Sequence, residues 1–299
     1  MGSTSDAATP ERGVVTAAIA VLLLAAVCEA QSSAPPGDKS GFTLFNPTPR
    51  EQMREMITDR PDLTESPYTV DAGHLQIEMD LVRFTYDRHN PERTDRRVKS
   101  WSIADTNFKI GLLNDLDLQL VTPIYNWVDT DDHTTGSTVH QRGFGDLTVR
   151  LKYNFWGNDG GMTAFGVMPF LKIPTNQDDL GNHAVEGGLI LPLAVELPAG
   201  FDMGIMAEFD FDEDADADGY HEEFVDSITF GHDIVGGLSG FVEFASIATT
   251  DSDGHWIGLV DLGPTYAVTE DFHVDAGVVF GVSRAADDVS AFTGLSWRF

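Results

Sequence analysis

The sequence predicts an all-β chain: a transmembrane, antiparallel, up-and-down β-barrel of about twelve strands, preceded by a signal peptide and a short periplasmic segment. Three observations predict it. Apolar and polar residues alternate with period two from Gly73 to the end of the chain. No long apolar helix follows Val27, and a membrane protein without one has to close its backbone hydrogen bonds in a barrel. The connections between strands alternate long and short, as they do when one rim carries loops and the other carries tight turns.

Residues 1–30 read as the signal peptide. Arg12 precedes the apolar run Val14–Val27, which is too short to span a bilayer and fits a signal-peptide core. Small residues at Cys28 and Ala30 set up a cut after Ala30. Cys28 also offers a lipoprotein alternative, although Val27 is a poor residue directly before a lipidated cysteine. Asp6 and Glu11 outweigh Arg12 in the leading region, which leaves an uncleaved anchor open. Cys28 is the only cysteine, so a chain cut after Ala30 has no disulfide framework and no thiol chemistry. Residues 31–72 read as a linker and a short helix, periplasmic or plug-like. The helix is expected over Pro49–Ile57, with Met53, Met56 and Ile57 on one side. The stretch "DRPDLTESPYTV" that follows is broken by two prolines and reads as extended and irregular.

Residues 73–299 read as the barrel. Strands are expected near 73–86, 98–113, 115–128, 142–156, 162–173, 186–197, 201–211, 222–233, 237–248, 256–268, 271–283 and 289–299. Their even number suits a single-chain bacterial barrel. Leu147, Val149 and Leu151 alternate with Thr148, Arg150 and Lys152, which puts the apolar set toward lipid and the charged set toward the lumen. Other expected lumen residues are Glu78, Asp80, Asp117, Asp146, Glu196, Glu208 and Asp210. Their mixed signs allow either a self-neutralising plug of salt bridges or a polar path, and about twelve strands leave a narrow lumen. The long connections, such as "DRHNPERTDRR", "DTDDHTTGSTVHQ" and "PTNQDDLGNHAV", read as external loops. The short ones, such as "LND", "GNDGG" and "TED", read as periplasmic turns. Tyr125, Trp127, Tyr153, Trp156, Phe170, Trp256 and Trp297 fall near strand ends, as an interfacial girdle requires. The last strand ends in Leu295, Trp297 and Phe299 on one face. A terminal Phe299 resembles the assembly signal by which barrel-assembly machinery takes up such chains.

The formal net charge of −30 argues against nucleic acid as a partner, because no basic patch is available to neutralise phosphates. Asp214, Asp216, Asp218 and Gly219 form the D-x-D-x-D-G opening of a calcium loop. Val225 stands where a bidentate Glu should close the sphere, so a solvated acidic loop is the simpler reading and no metal site is assigned. "DSDG", Asp251–Gly254, is a weaker version. His89, His133, His140, His183, His221 and His255 fall in expected loops without a zinc-enzyme pattern, so at most loose capture of a transition metal is in view. "GFGDLT" lacks the third glycine of a dinucleotide fingerprint and opens no helix. Ser227 and His232 lie in one strand at an odd spacing, hence on opposite faces, and no catalytic triad is expected. No enzyme and no cofactor are expected.

Six phrases, "TDRPDLTESPYTV", "NFKIGLLNDLDLQL", "GFGDLTVRLKYN", "LKIPT", "DLGPTYAVTEDFHVDAGVVFG" and "GLSWRF", resemble the MetA-pathway of phenol degradation family, in the family's order, from Thr58 to Phe299. The resemblance implies an outer-membrane transporter of a Gram-negative bacterium. It carries over no catalytic or binding residues, and Trp297 departs from the apolar residue expected before the last two. The reading is an outer-membrane channel or transporter for small solutes, aromatic or hydrophobic ones among them, with outer-membrane lipid and lipopolysaccharide as neighbours. The alternative is a structural or surface-interaction barrel with acidic, ion-binding external loops.

Overall fold

The computed structural model of the chain describes residues 37–88, 96–214, 219–250 and 254–299. The expected signal peptide with Cys28 and Ala30, the residues Asp216 and Asp218, and His89 lie outside the described residues. Among the described residues the strands are β1 (Leu75–Asp87), β2 (Arg96–Leu113), β3 (Leu116–Thr122), β4 (Tyr125–Asp132), β5 (Thr138–Gly143), β6 (Leu147–Trp156), β7 (Thr163–Ile173), β8 (Glu186–Leu197), β9 (Phe201–Glu213), β10 (Tyr220–Val235), β11 (Leu238–Thr249), β12 (Ile257–Thr269), β13 (Phe272–Gly281) and β14 (Val289–Arg298). Each pairs antiparallel with its neighbours. β14 returns to β1, with Trp297 opposite Ile77 and Leu295 opposite Met79.

β3 and β4 both pair with β2, one below the other, and together span the wall once. β5 pairs with β4 and β6 with β3, and those two together span the wall once more. The fourteen strands therefore make a closed barrel of twelve spanning strands. The two interruptions touch. Pro123 has no N–H to give to the ladder, and Gly145 donates its own N–H to the Pro123 carbonyl at 3.1 Å. A Cβ on Gly145 would meet Pro123 at 2.8 Å. The alternation predicts unbroken strands at 115–128 and 142–156 with an external loop at 129–141. The structure puts a strand hairpin there, β4–β5, closed around residues 133–137. From Asp129 to Gln141 its residues are mostly polar on both faces, so period two left little trace in the sequence.

The short turns 114–115, 157–162, 198–200, 236–237 and 270–271 share one rim with the C-terminus, which makes that rim periplasmic. The faces sort as the alternation predicts. Leu151 is 39% exposed on the outer wall, while Lys152 is fully buried inside. Outward aromatics gather at both rims: Trp101, Tyr125, Trp127, Tyr220 and Trp256 at one, Tyr153, Trp156, Phe201, Tyr266, Trp297 and Phe299 at the other. Phe170 leaves the expected girdle. It lies on the inward face of β7 and packs against the apolar cluster of Met168, Ile190, Met206 and Val225.

The expected helix over Pro49–Ile57 is reduced to one 3₁₀ turn, Arg50–Gln52. Nine residues are too few for a self-sufficient helix, and the lumen wall competes for the chain. Arg54 donates its N–H to Asp71 at 3.0 Å and its guanidinium to the Asn114 carbonyl at 3.0 Å. Residues 37–74 run across the periplasmic rim, rise into the lumen as an open hairpin and return to β1.

Candidate functional site

The tip of that hairpin, residues 58–66, crosses the barrel interior and bonds charged residues of the wall. The Asp59 carboxylate receives Lys152 Nζ at 2.6 and 2.7 Å and is also bonded to Lys109, which reaches Glu78 as well. The next residue, Arg60, grips Asp275 with two donors at 2.6 and 3.0 Å and Asp80 with a third at 2.5 Å. Gly294 makes room for it, since a Cβ there would collide with the guanidinium. Leu63 and Thr64 donate their N–H groups to Glu243, each at 2.8 Å, and the Thr64 hydroxyl bonds Glu243 and Ser227. Glu65 receives Arg150 at 2.5 Å. These are charge-assisted bonds in a closed interior, the strong kind.

The hairpin legs are fixed at the periplasmic rim. Val70 N–H bonds Asp117, and Asn154 Nδ2 bonds the Pro67 carbonyl. His74 bridges the carbonyls of Thr48 and Phe299, each at 2.8 Å, and so ties the leg to the chain end. Gly111 is required there: a side chain would run into the Asp71 carbonyl. Burial works against the charge of Asp159 in the periplasmic turn, but Lys39, Asn114 and Arg54 outweigh it and hold the carboxyl below its usual range.

On the extracellular side of the tip lies a cavity of about 380 Å³. Pro61, Asp62 and Leu63 form its floor. Ala245, Ile247, Leu259, Val279 and Phe292 give it an apolar wall, and Arg83, Glu243 and Asp261 add polar groups. Arg83 lies 4.3 Å over the Phe292 ring while its Nε bonds Asp80 at 2.8 Å. A second space of about 390 Å³ backs the interrupted wall, between Pro123, Asn126, Gly145 and Leu180. There β5 pairs with β4 alone among the described strands, and Asp178 and Asp179 bond Gln141 and Arg142 of β5. Asp146 holds the segment 174–182, accepting from Thr175 N, Asn176 N and Asn182 N, each at 3.0 Å.

Of the expected lumen residues, Glu78, Asp80, Asp117, Arg150 and Lys152 meet the plug, and Asp146 organises a loop instead. Glu196 is exposed near the periplasmic rim. Asp59, Arg60 and Glu65 carry the site and were not singled out by the sequence reading. Charged residues clustered around Pro61 and Pro67 in an otherwise irregular stretch were the available signal. The loop histidines make separate contacts: His140 with Asp129 at 2.5 Å, His183 with Asp179 at 3.7 Å, His221 with Asp214 at 2.9 Å. Ser227 points into the lumen, whereas His232 stacks on Phe201 at 4.3 Å. The two cannot act together.

Solved barrels are similar in fold. The COG4313 outer membrane channel from Pseudomonas putida F1 superposes with a TM-score of 0.60 at 12% identity, covering 81% of this chain and 100% of that one. The NanC porin reaches 0.46 at 12%, covering 73% and 98%. The beta domain of the Bordetella autotransporter BrkA reaches 0.48 at 12%, covering 76% and 99%. No curated protein matches this chain in sequence. The sequence profile described as "Putative MetA-pathway of phenol degradation" matches residues 58–299, from the plug tip through the whole barrel. With its twelve spanning strands, two aromatic rims and plugged lumen, the chain is a Gram-negative outer-membrane protein and belongs to that family.

Proposed function

We propose that the protein is a plugged outer-membrane channel that admits small solutes with an apolar body, aromatic ones included. The observation that carries this reading is the cavity above the plug tip. Its volume suits a small molecule, its wall is mostly aliphatic with one aromatic ring, and a few polar groups converge on it. A solute of this kind enters from the acidic mouth, rests on Pro61–Leu63, and passes when the tip shifts or through the interrupted wall beside β5. The acidic loops concentrate cations and repel anions at the mouth, so residual ion flow should be small and cation-preferring, and the preference should weaken at high salt. Catalysis forms no part of this reading.

The test is flux into liposomes holding the folded protein, with small aromatic alcohols against sugars of similar size. Ala245 is almost fully buried in the cavity wall, so Ala245→Phe should fill the space. The expected result is faster entry of the aromatic probes and at least a tenfold loss in Ala245→Phe. Equal entry of both classes, or no entry with wild-type protein shown to be folded, would return the chain to the structural reading.

A further inference from the structure

The cavity above the plug tip has an unbalanced charge. Arg83 is the basic residue of its lining, and that charge is already matched. Arg60 and Arg83 face Asp80 and Asp275, two against two: Arg60 bonds both carboxylates, and Arg83 Nε bonds Asp80 at 2.8 Å. Asp62, Glu243 and Asp261 remain in the lining, and among the described residues no ion pair reaches any of them. Glu243 accepts from three neutral donors of the plug, the N–H groups of Leu63 and Thr64 and the Thr64 hydroxyl. Those bonds orient it and leave its charge in place. Asp261 lacks even that support. It is 5% exposed and stands on the ladder between Glu243 of β11 and Val279 of β13. The side-chain group it meets is another carboxyl, that of Glu243, and like charges directly opposite in a ladder repel. Both carboxyl groups border the cavity, whose remaining wall is aliphatic at Ala245, Ile247, Leu259 and Val279. A buried carboxylate with no counter-charge is costly unless a proton or a cation joins it. Here a space for a small molecule adjoins the pair, so the cation can be the solute itself.

We propose that this cavity selects organic cations: a protonated or quaternary amine on a small apolar body. The inference rests on the channel reading above and narrows its solute class. The ammonium group sits against Asp261 and Glu243, Asp62 adds a third carboxylate from the tip, and the apolar body lies along the aliphatic wall. A neutral solute of the same shape leaves the carboxylates unpaired, and an anionic one adds repulsion, so the lining discriminates by charge as well as by shape. The acidic mouth works in the same direction by concentrating cations outside the cavity. The two contributions separate with salt, which screens exposed loop charges strongly and a pair inside a closed cavity far less.

The experiment is calorimetric titration of the folded full chain with benzyltrimethylammonium chloride, benzyl alcohol and sodium phenylacetate, which share a ring and differ in charge. One saturable site is expected for the ammonium, about tenfold tighter than for the alcohol, with no saturable heat from phenylacetate. That order should hold at high salt. Asp261→Asn should bring the ammonium to within about twofold of the alcohol, since the surplus charge at the pair is then gone. Folding is read from heat-modifiable migration, and Asp62→Asn carries the same direction of change should the Asp261 variant fail to fold. Asp216→Asn/Asp218→Asn, in the acidic connection from β9 to β10, should leave the preference as it is. Equal binding of ammonium and alcohol would overturn this inference and leave the channel reading standing. So would a preference that survives both Asp261→Asn and Asp62→Asn, vanishes at high salt, or is lost in Asp216→Asn/Asp218→Asn. No binding of any of the three probes would overturn both readings together.

Discussion

Asp59→Asn should loosen the plug. Asp59 holds Lys152 and shares Lys109 with Glu78, and all four side chains are at most 4% exposed. Two buried ammonium groups thus face two buried carboxylates. Asparagine leaves the same shape with one positive charge in excess. Lys152 is then stranded, since Asp59 is its ion-pair partner among the described residues. Removing one partner of a buried pair costs about 3–5 kcal/mol. At about 1.4 kcal/mol per decade, the equilibrium between docked and undocked tip moves by roughly two to three and a half decades. Docking is the state that loses, because an undocked tip lets water reach the lysine. Single-channel recording in planar bilayers reads this as longer and larger openings. The neutral pair Asp59→Asn/Lys152→Gln removes the surplus charge and should return most of the closed state. Wild-type conductance in Asp59→Asn, or a double variant as open as the single one, would refute this account of how the tip is held.

Other outcomes test the wall and the two chain ends. Leu151→Arg puts a charge on the lipid face and should cost about 2–4 kcal/mol near the bilayer midplane, read by urea unfolding in vesicles; a loss well below that would place Leu151 away from lipid. Deleting Phe299 removes its ring contact with Trp297 at 4.3 Å and its N–H bond to Leu75, so the seam between β14 and β1 frays. More unfolded chain in the periplasm and less heat-modifiable protein are expected, and normal yield would count against it. Mass spectrometry of the mature protein should find Gln31 at the N-terminus, whereas an acylated Cys28 would move the protein to the lipoproteins.

The barrel was legible because its determinants are local. Leu147, Val149 and Leu151 declare a lipid face through their spacing alone, and each tight turn declares itself by its own glycines and aspartates. Legibility failed where a residue answered to something other than the pleat. Pro123 sits in a run that alternates well, so the break it causes shows only once its missing N–H is set against the ladder. The β4–β5 hairpin stands beyond the hydrocarbon, where nothing rewards an apolar face, and its polar residues read as loop. Phe170 looked like girdle by its place near a strand end, but parity with Met168 turns it inward.

The plug was illegible for a different reason. Arg60 and Asp275 are separated by 215 positions, Thr64 and Glu243 by 179, and Lys152 and Asp59 by 93. No window of sequence contains both partners of any of these bonds. Half of the information was nevertheless visible. A lumen wall carrying Lys109, Arg150 and Lys152 beside Glu78, Asp80 and Asp275 has to be neutralised, and the wall geometry keeps many of these charges out of reach of one another. An open aqueous pore could leave them to water. A twelve-stranded lumen is too narrow to hydrate them all, so a second set of charges has to enter it. Asp59, Arg60 and Glu65 are that set, delivered by residues 58–66, which form no strand of their own. The mixed charge of the inner wall is therefore a cast of the plug, and substitutions that alter one are expected to be tolerated only with matching changes in the other.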